Sequence, residues 1–314
     1  MKAAVSRVLL VGAGEVGAKH LVALADTPGV TVAGVADPCP RAELPPGTPL
    51  FASWRPALAA LSPELVVVAA PPGTALAAAR EAAASGAMVL VEKPATTDPA
   101  ALASQPRDER IFVGFQSHFA PGLDGLLARS PVIERTEVLL SVRRDAGYFR
   151  GWRRTHSAAG GVLHQQAIHG LALALRLMPG DVRTAEATVV HRRGLAETED
   201  QVIADFVLAG GQTGRIDARV DHPGPPRHEV VLHLAGGRRL WVRGRNLEAG
   251  LGVADAAPTH EELRRRMYTS VLDAAEGPVH PCLFPLSALR RTLEVIDRVY
   301  HDAHVVRAAD AAAA

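Results

Sequence analysis

Three glycines spaced as Gly-x-Gly-x-x-Gly stand between a short apolar segment and a helical pattern. Residues 7–11 predict a buried strand, and residues 15–25 predict the helix that follows it. In this setting the glycines allow a tight turn, a close approach of the backbone to a pyrophosphate, and packing of the helix on the strand. The helix N-terminus adds free N–H groups and partial positive charge. The sequence therefore predicts a dinucleotide site that includes Gly12, Ala13, Gly14, Glu15, Val16 and Gly17.

The second predicted strand, residues 30–36, is followed directly by Asp37. A carboxylate at this place accepts hydrogen bonds from the adenosine ribose and repels a 2′-phosphate. Arg41 is close enough in sequence to contact such a phosphate. We therefore expect NAD to be the preferred cofactor, with NADP as the alternative.

Up to residue 117, short apolar strands alternate with helices. We predict further strands and helices over residues 55–61 (helix), 65–70 (strand), 74–84 (helix), 88–91 (strand), 100–104 (helix) and 111–115 (strand). This alternation is typical of a parallel sheet covered by helices on both faces. Residues 1–117 are therefore predicted to form a doubly wound Rossmann domain.

After residue 117 the predicted strands are longer and are joined as hairpins, which indicates an antiparallel sheet. The predicted elements are a strand over 134–143, a helix over 162–178, hairpins over 201–208/213–220 and 229–234/238–242, and a closing helix over 286–303. We expect residues 118–314 to form an α+β domain with an open, mainly antiparallel sheet. The alanine-rich tail, 311–314, is expected to be disordered.

Composition argues against several classes of partner. The 34 Lys and Arg residues nearly balance the 33 Asp and Glu residues, so charge does not indicate a nucleic-acid binder. No apolar run reaches the roughly 20 residues of a membrane helix, and the N-terminus lacks a signal-peptide pattern. Two cysteines make neither a disulfide scaffold nor a four-thiolate metal site. We therefore expect a cytoplasmic protein with no metal, nucleic-acid or membrane partner.

Lys93 is one of only three lysines in a chain whose other basic residues are arginines. It follows the fourth predicted strand, and ligands of open parallel sheets gather at the carboxyl ends of the strands. A lysine ammonium group there can hydrogen-bond a hydroxyl or carbonyl beside the nicotinamide and stabilise a developing alkoxide. The alternative is a solvated lysine in a turn.

The predicted helix over 162–178 begins after a Gly-Gly pair and carries His164, Gln165 and His169. Gln165 and His169 are four residues apart and so share a face of an α-helix. His169 could act as a general acid or base, although a histidine on a helix is more often a hydrogen-bonded core residue. His164 and His169 are five apart, about 140° around the helix, and should not bind one metal ion.

Five arginines lie within twelve residues just before this helix, interleaved with Tyr148, Phe149 and Trp152. Aromatic rings can stack on a sugar or a base, and arginine can hold a phosphate or carboxylate. We predict substrate contacts from Tyr148, Trp152 and Arg153. The alternative is a solvated, charged edge.

Taken together, these segments resemble the Gfo/Idh/MocA oxidoreductases, the family of glucose–fructose oxidoreductase and inositol 2-dehydrogenase. The resemblance covers nearly the whole chain, and the segments that carry it are the glycine loop at 12–17, Asp37-Pro38, Ala70-Pro71-Pro72, Val91-Glu92-Lys93-Pro94, Val113-Gly114-Phe115, Gly160-Gly161 through His169, and the closing helix with Tyr300.

The resemblance implies a Rossmann domain, then an α/β domain whose open sheet often forms the interface of a homo-oligomer. It implies NAD(P)-dependent hydride transfer at a hydroxyl or ketone carbon of a sugar, cyclitol or nucleotide sugar. Lys93 would polarise the reacting oxygen, and His169, next to Gln165, would assist proton transfer. Further cofactor contacts are expected from Pro38, Arg41, Ala70, Pro71, Pro72, Glu92, Lys93 and Gln116, and substrate contacts from Lys93, Gln116, Gln165 and His169.

Three positions depart from the pattern that is common in the family. Gln165 and Ala172 stand where many members carry Asp, and Leu76 stands where His is common. A neutral glutamine can orient an imidazole but brings no charge to stabilise an imidazolium. These departures fit a ketoreductase slightly better than a dehydrogenase. Two alternatives stay open: an inactive NAD(P)-binding regulator or scaffold, and a reductase of a non-sugar carbonyl or imine.

Overall fold

A computed structural model of the chain describes residues 5–248 and 257–307. The predicted disordered tail, 311–314, lies outside the described residues. The chain divides into two compact units, of which the first comprises Met1–Thr96, Ala101–Phe119 and Pro258–Ser287, and the second comprises Thr97–Ala100, Ala120–Ala257 and Ala288–Ala314.

The described residues form seven α-helices and fifteen strands. The helices are α1 (Glu15–Ala25), α2 (Trp54–Leu61), α3 (Pro72–Ala84), α4 (Leu123–Arg129), α5 (Ile168–Leu177), α6 (His260–Asp273) and α7 (Leu286–His301). The strands are β1 (Ser6–Val11), β2 (Val30–Ala36), β3 (Leu50–Phe51), β4 (Leu65–Val68), β5 (Met88–Val91), β6 (Ile111–Val113), β7 (Ile133–Ser141), β8 (Val182–His191), β9 (Gln201–Leu208), β10 (Thr213–Arg219), β11 (Arg227–Leu234), β12 (Arg239–Arg243), β13 (Asn246–Glu248), β14 (Phe284–Pro285) and β15 (Ala303–Arg307).

The sheet of the first unit confirms the predicted parallel architecture. Its strands lie in the order β3-β2-β1-β4-β5-β6, all parallel, and β14 adds an antiparallel edge. This is the order of a dinucleotide-binding sheet, whose switch point lies between β1 and β4. Every residue of β4 and β5 is buried, as expected for strands covered on both faces. The predicted helix over 100–104 is only a short 3₁₀ turn, Ala100–Leu102.

Helix α6 belongs to the first unit although it follows the second in sequence. Its N-terminus carries a capping box, in which the Thr259 side chain accepts from the Glu262 N–H and Glu262 accepts from the Thr259 N–H. The helix packs on α1 and β5 and buries Met267 and Tyr268 completely. The sequence pattern instead places everything after residue 117 in the second domain and predicts no helix here. The reason is that only tertiary packing brings residues 258–287 back to the first sheet.

The second unit contains the predicted sheet that is mainly antiparallel. Its strand order is β13-β12-β11-β7-β10-β9-β8-β15, and both predicted hairpins, β9/β10 and β11/β12, are confirmed. Two neighbouring pairs, β7 with β10 and β8 with β15, are parallel. Strands β8, β13 and β15 were not predicted.

Helix α5 packs on β7 and β11 of this sheet through Gly170. A Cβ on Gly170 would lie 3.0 Å from Val230 Cγ2 and 3.1 Å from Val138 Cγ1, so a glycine lets the helix come close to the strands. The helix is preceded by a π-helical turn, Leu163–Ala167, which the prediction of a regular helix over 162–178 lacked. Because that turn is wider than an α-helical one, the predicted angle between His164 and His169 does not apply.

Candidate active site

The glycine loop after β1 has the geometry that a dinucleotide phosphate needs. Gly12 has a φ of +93°, and a Cβ there would lie 2.7 Å from the carbonyl carbon of Ala69. A Cβ on Gly17 would lie 2.1 Å from the Gly12 carbonyl oxygen, whereas a Cβ on Gly14 would meet nothing within 4 Å. Packing inside the unit therefore requires the first and third glycines. The second leaves open space at the N-terminus of α1, and this space fits a pyrophosphate.

Asp37 is tied to this loop by its side chain. Its Oδ2 accepts from the Ala13 N–H at 2.6 Å, and its Oδ1 accepts from the Cys39 N–H at 2.7 Å. The backbone N–H of Arg41 donates to the Ala13 carbonyl at 2.9 Å. The carboxylate and the exposed Arg41 are therefore both held next to the glycine loop, where they can discriminate between cofactors with and without a 2′-phosphate.

The other predicted cofactor residues of this unit follow the carboxyl ends of neighbouring parallel strands. Ala70-Pro71-Pro72 follows β4, Glu92-Lys93 follows β5, and Gln116 follows β6. The Lys93–Pro94 peptide bond is cis. The Gln116 Oε1 atom is buried and has no hydrogen-bond donor among the described residues. An acceptor in this state fits a ligand that brings its own N–H or O–H group.

The Glu92 side chain takes part in a buried hydrogen-bond network. Its Oε1 lies 3.0 Å from His20 Nε2, and His20 Nδ1 lies 2.6 Å from the Tyr268 hydroxyl. Both His20 and Tyr268 are fully buried. Burial alone raises the pKa of Glu92, but the His20 hydrogen bond and the charges of Lys93 and Arg264 outweigh burial and leave the pKa below its usual value. Glu92 is therefore ionised at neutral pH.

In the second unit, a glutamate and a tyrosine hold the start of the helix that carries His169. Glu199 Oε1 accepts from the Val162 N–H and from the Tyr300 hydroxyl, both at 2.6 Å, and the Leu163 N–H donates to the Tyr300 oxygen at 3.2 Å. Glu199 Oε2 lies 3.3 Å from His156 Nε2. Burial and the Glu199 charge raise the pKa of Tyr300 well above its usual value, so the phenol stays protonated.

The glycine pair before this helix is explained by the same cluster. Gly161 has a φ of +94°, and a Cβ there would lie 2.6 Å from the Tyr300 hydroxyl. A Cβ on Gly160 would lie 2.5 Å from the Thr155 carbonyl oxygen. At the other end of α5, Arg291 donates to the carbonyls of Leu175 and Met178. The helix is therefore anchored at both ends.

A second group of side chains surrounds Tyr148. The Tyr148 hydroxyl lies 2.6 Å from Gln166 Nε2 and 3.4 Å from Gln165 Oε1. The guanidinium groups of Arg144 and Arg153 lie 5.0 and 5.1 Å from the centre of its ring. Burial raises the pKa of Tyr148, although the Gln166 hydrogen bond and the two arginines oppose that effect. Three predicted residues, Tyr148, Arg153 and Gln165, are thus neighbours.

The remaining predicted residues of this unit lie close to that group in sequence. Trp152 is half-buried, and the Arg153 guanidinium lies 4.8 Å from its ring centre. His169 is the second residue of α5 and is half-buried, and Ala172 is completely buried one turn later. Gln165 donates to the Ala159 carbonyl, which fixes its amide across the π-helical turn.

Two family models match the chain. Residues 6–105 match an oxidoreductase family with an NAD-binding Rossmann fold, and residues 134–244 match the GFO/IDH/MocA C-terminal domain. The chain belongs to the Gfo/Idh/MocA family. As a Gfo/Idh/MocA protein it is an oxidoreductase with an NAD-binding domain. A comparison with curated protein sequences gives no significant match.

Several solved structures share the fold of this Gfo/Idh/MocA protein at low sequence identity. The WlbA dehydrogenase from Bordetella pertussis, in complex with NADH and UDP-GlcNAcA, is 22% identical with a TM-score of 0.75 over 97% of each chain. UDP-N-acetylglucosamine 3-dehydrogenase GnnA from Acidithiobacillus ferrooxidans is 21% identical, with a TM-score of 0.71 over 95% of this chain and 97% of that one. A myo-inositol dehydrogenase from Corynebacterium glutamicum is 18% identical, with a TM-score of 0.72 over 95% and 96%.

Most residues that support the site of this Gfo/Idh/MocA protein were not predicted from the sequence. His20, Tyr268 and Glu199 belong to no motif, Arg144 was noted only as one of five clustered arginines, and Tyr300 only as part of the resemblance. One signal was available: the chain has only three tyrosines, and all three hydroxyls are hydrogen-bonded in these clusters. In the part of the chain that the structure describes, no group of three or more His, Cys, Asp or Glu side chains could hold a metal ion, and none of its helices is long and apolar enough to cross a membrane.

Proposed function

We propose that this protein uses NAD to oxidise a hydroxyl, or reduce a ketone, of a sugar, cyclitol or nucleotide sugar. The observation that carries the proposal is the position of Lys93. It follows β5 in the same sheet whose β1 leads into the glycine loop, and its neighbour Glu92 is held by buried partners. In such sheets, ligands bind outside the carboxyl ends of the strands.

The proposed chemistry assigns a separate task to each of two residues. The Lys93 ammonium group donates a hydrogen bond to the reacting oxygen and stabilises the negative charge that develops there. His169 accepts the hydroxyl proton in the oxidative direction and returns it in the reductive direction, and Gln165, four residues earlier, is the residue proposed to orient it. When bound, the nicotinamide supplies the site that accepts or donates the hydride.

Residues around Tyr148 are the proposed substrate contacts. Tyr148 and Trp152 offer aromatic faces, Arg153 offers a cation, and Gln165 and His169 offer polar groups on the following helix. Gln116, with its buried open acceptor, is proposed separately as a substrate contact of the first unit. A mixture of aromatic faces and hydrogen-bonding groups suits a polyhydroxylated ring, because such a ring has both apolar faces and many hydroxyls.

NAD rather than NADP is the proposed cofactor. The support is Asp37, whose carboxylate is held against the glycine loop and disfavours a 2′-phosphate. Pro38 and Arg41 follow it and are proposed to flank the adenosine end. We further propose a cytoplasmic homo-oligomer that forms through the second sheet, as the resemblance to the family implies.

A substrate panel tests the proposed function. The protein is incubated with NAD⁺ and sugars, inositols, uronic acids and nucleotide sugars, and with NADH and the matching keto compounds, while the absorbance of the reduced cofactor is followed. We expect turnover on one of these classes and a clear preference for NAD over NADP. Tight NADH binding with no turnover on the whole panel, or turnover only on imines and non-sugar carbonyls, would contradict the proposal.

A further inference from the structure

In the buried network at Glu92, each hydrogen bond has a defined donor and a defined acceptor. Burial raises the pKa of Tyr268 far above its usual value, so its hydroxyl is a donor. In the tautomer that satisfies all three groups, His20 Nδ1 accepts from Tyr268 and the Nε2 hydrogen is donated to Glu92. A neutral imidazole thus joins the phenol to the carboxylate with both ring nitrogens in use.

The network is closed to solvent on the side of His20 and Tyr268. His20 comes from α1 and Tyr268 from α6, and neither exposes any surface. The Glu92 side chain is 12% exposed. The charges of Arg264, from α6, and of Lys93, the next residue in the chain, both lower the pKa of Glu92. The Glu92 carboxylate therefore interacts electrostatically with one buried arginine and with the proposed catalytic lysine.

Space around the carboxylate is restricted as well. The Glu92 N–H donates to the Val68 carbonyl at 2.8 Å, which fixes its backbone at the end of β5. A Cβ on Gly114 would lie 3.3 Å from Glu92 Oε1, so a larger residue there would crowd the carboxylate. The backbone hydrogen bond to Val68, the His20 imidazole and the glycine at position 114 together allow one orientation of the Glu92 side chain.

We infer that Tyr268, His20 and Glu92 form a positioning relay that keeps an ionised, immobile carboxylate beside Lys93, so that the lysine remains an ammonium group when it meets the reacting oxygen. The inference deepens the proposed function, on which it rests for the role of Lys93. A buried carboxylate contributes little to stability compared with a well-packed apolar group. Its effect on the proton affinity of a neighbouring amine is direct, because an opposite charge favours the charged form.

Lysine titration tests the relay without any substrate. The chain has only three lysines, Lys2, Lys19 and Lys93, so reductive ¹³C-methylation gives a small set of NMR signals that are assigned by Lys→Arg variants. The pKa of each amine is then read from its shift against pH. The variants are Glu92→Gln, Tyr268→Phe and the control Glu81→Gln, which removes a carboxylate that contacts Trp54 and Arg55 in the same unit.

We expect Glu92→Gln to lower the pKa of Lys93 by about one unit or more. Tyr268→Phe, which keeps the ring and removes only the donor to His20, should lower it by a smaller amount. Glu81→Gln should leave Lys93 unchanged, and Lys19 should titrate alike in all variants. If Lys93 titrates equally in the wild type and in folded Glu92→Gln, the relay is overturned. If Glu92→Gln does not fold, an unchanged Lys93 in Tyr268→Phe overturns it equally.

A kinetic readout separates this inference from the proposed function. With a substrate found in the panel, Glu92→Gln should lower kcat about tenfold or more, with little change in KM for NADH, and should move the alkaline limb of the pH–rate profile to lower pH. Absence of turnover in the wild type would contradict the proposed function but leave the lysine titration decisive. Turnover with the same alkaline limb in both proteins would contradict the relay alone.

Discussion

Each unit of the molecule brings a tyrosine, a histidine and a glutamate together in one cluster, but the order of connection differs. In the first, His20 stands in the middle and links Tyr268 to Glu92. In the second, Glu199 stands in the middle and is contacted by both Tyr300 and His156. The same three residue types therefore form two different networks, one centred on a histidine and the other on a glutamate.

The difference lies in what each glutamate supports. Glu92 precedes Lys93, so its cluster ends beside a side-chain charge. Glu199 accepts from the Val162 N–H, so its cluster ends on the backbone where the helix of His169 begins. We expect the first cluster to govern the protonation of a side chain and the second to govern the position of a helix. Four experiments test that contrast.

Lys93→Ala has the largest expected effect. Loss of the ammonium group removes the electrostatic stabilisation at the reacting oxygen. We therefore expect kcat to fall by a factor of about 10²–10³. NADH affinity and the free energy of unfolding should stay close to wild type, because Lys93 is only half-buried. Steady-state kinetics and an NADH titration on the same preparation measure both quantities. Ordinary turnover in this variant would remove Lys93 from the mechanism.

Gly161→Ala and Gly114→Ala compare the space left around the two clusters. Gly161 has a φ of +94° and would place a Cβ 2.6 Å from the Tyr300 hydroxyl, so its replacement should cost about 3 kcal/mol of unfolding free energy. At Gly114 the nearest atom, Glu92 Oε1, lies at 3.3 Å, and the cost should be about 1 kcal/mol. Urea denaturation gives both values, and equal costs would refute the contrast.

Glu199→Gln tests the second cluster directly. The substitution weakens charge-assisted hydrogen bonds to Val162 and Tyr300, which should reduce the unfolding free energy by about 2 kcal/mol. Turnover should fall while NADH affinity does not, because the helix of His169 belongs to the second unit. Glu197→Gln, at an exposed position two residues earlier, is the matched control. A variant as stable as that control would mean that Glu199 does not hold the helix.

His156→Gln has the smallest expected effect. The His156 side chain is 34% exposed, and Glu199 keeps both of its hydrogen-bond donors, Val162 and Tyr300, so the loss of unfolding free energy should be below about 1 kcal/mol. His20→Gln, at a fully buried position between two partners, should cost about 2 kcal/mol. Thermal unfolding of the two variants side by side measures the difference. A larger loss at His156 than at His20 would reverse the comparison.

The parts of the site that were predicted from sequence are those whose chemistry is local. The glycine loop, Asp37 and Glu92-Lys93 each follow a strand directly, so a short window contains both the element and the functional group. Lys93 was also marked by the scarcity of lysine. The parallel direction of the strands follows from the alternation of strands and helices.

The supporting clusters were not predicted because their members meet only in the folded chain. His20 and Tyr268 are 248 residues apart, and Glu199 and Tyr300 are 101 apart. The return of α6 to the first unit and the π-helical turn before α5 have no periodic signature in the sequence. The scarcity of tyrosine was the one usable signal, and it identifies a residue type rather than its partner.

Calorimetric titration of NADH into the wild type and into Gly14→Val tests the central claim most directly. A Cβ at Gly14 meets no protein atom, so the variant should fold like the wild type, with unchanged thermal unfolding in the absence of cofactor. If the diphosphate lies against this glycine, the variant should bind NADH at least about tenfold more weakly, a loss of about 1.4 kcal/mol. Equal affinity in the two proteins, or no heat from the wild type with either NADH or NADPH, would contradict the account.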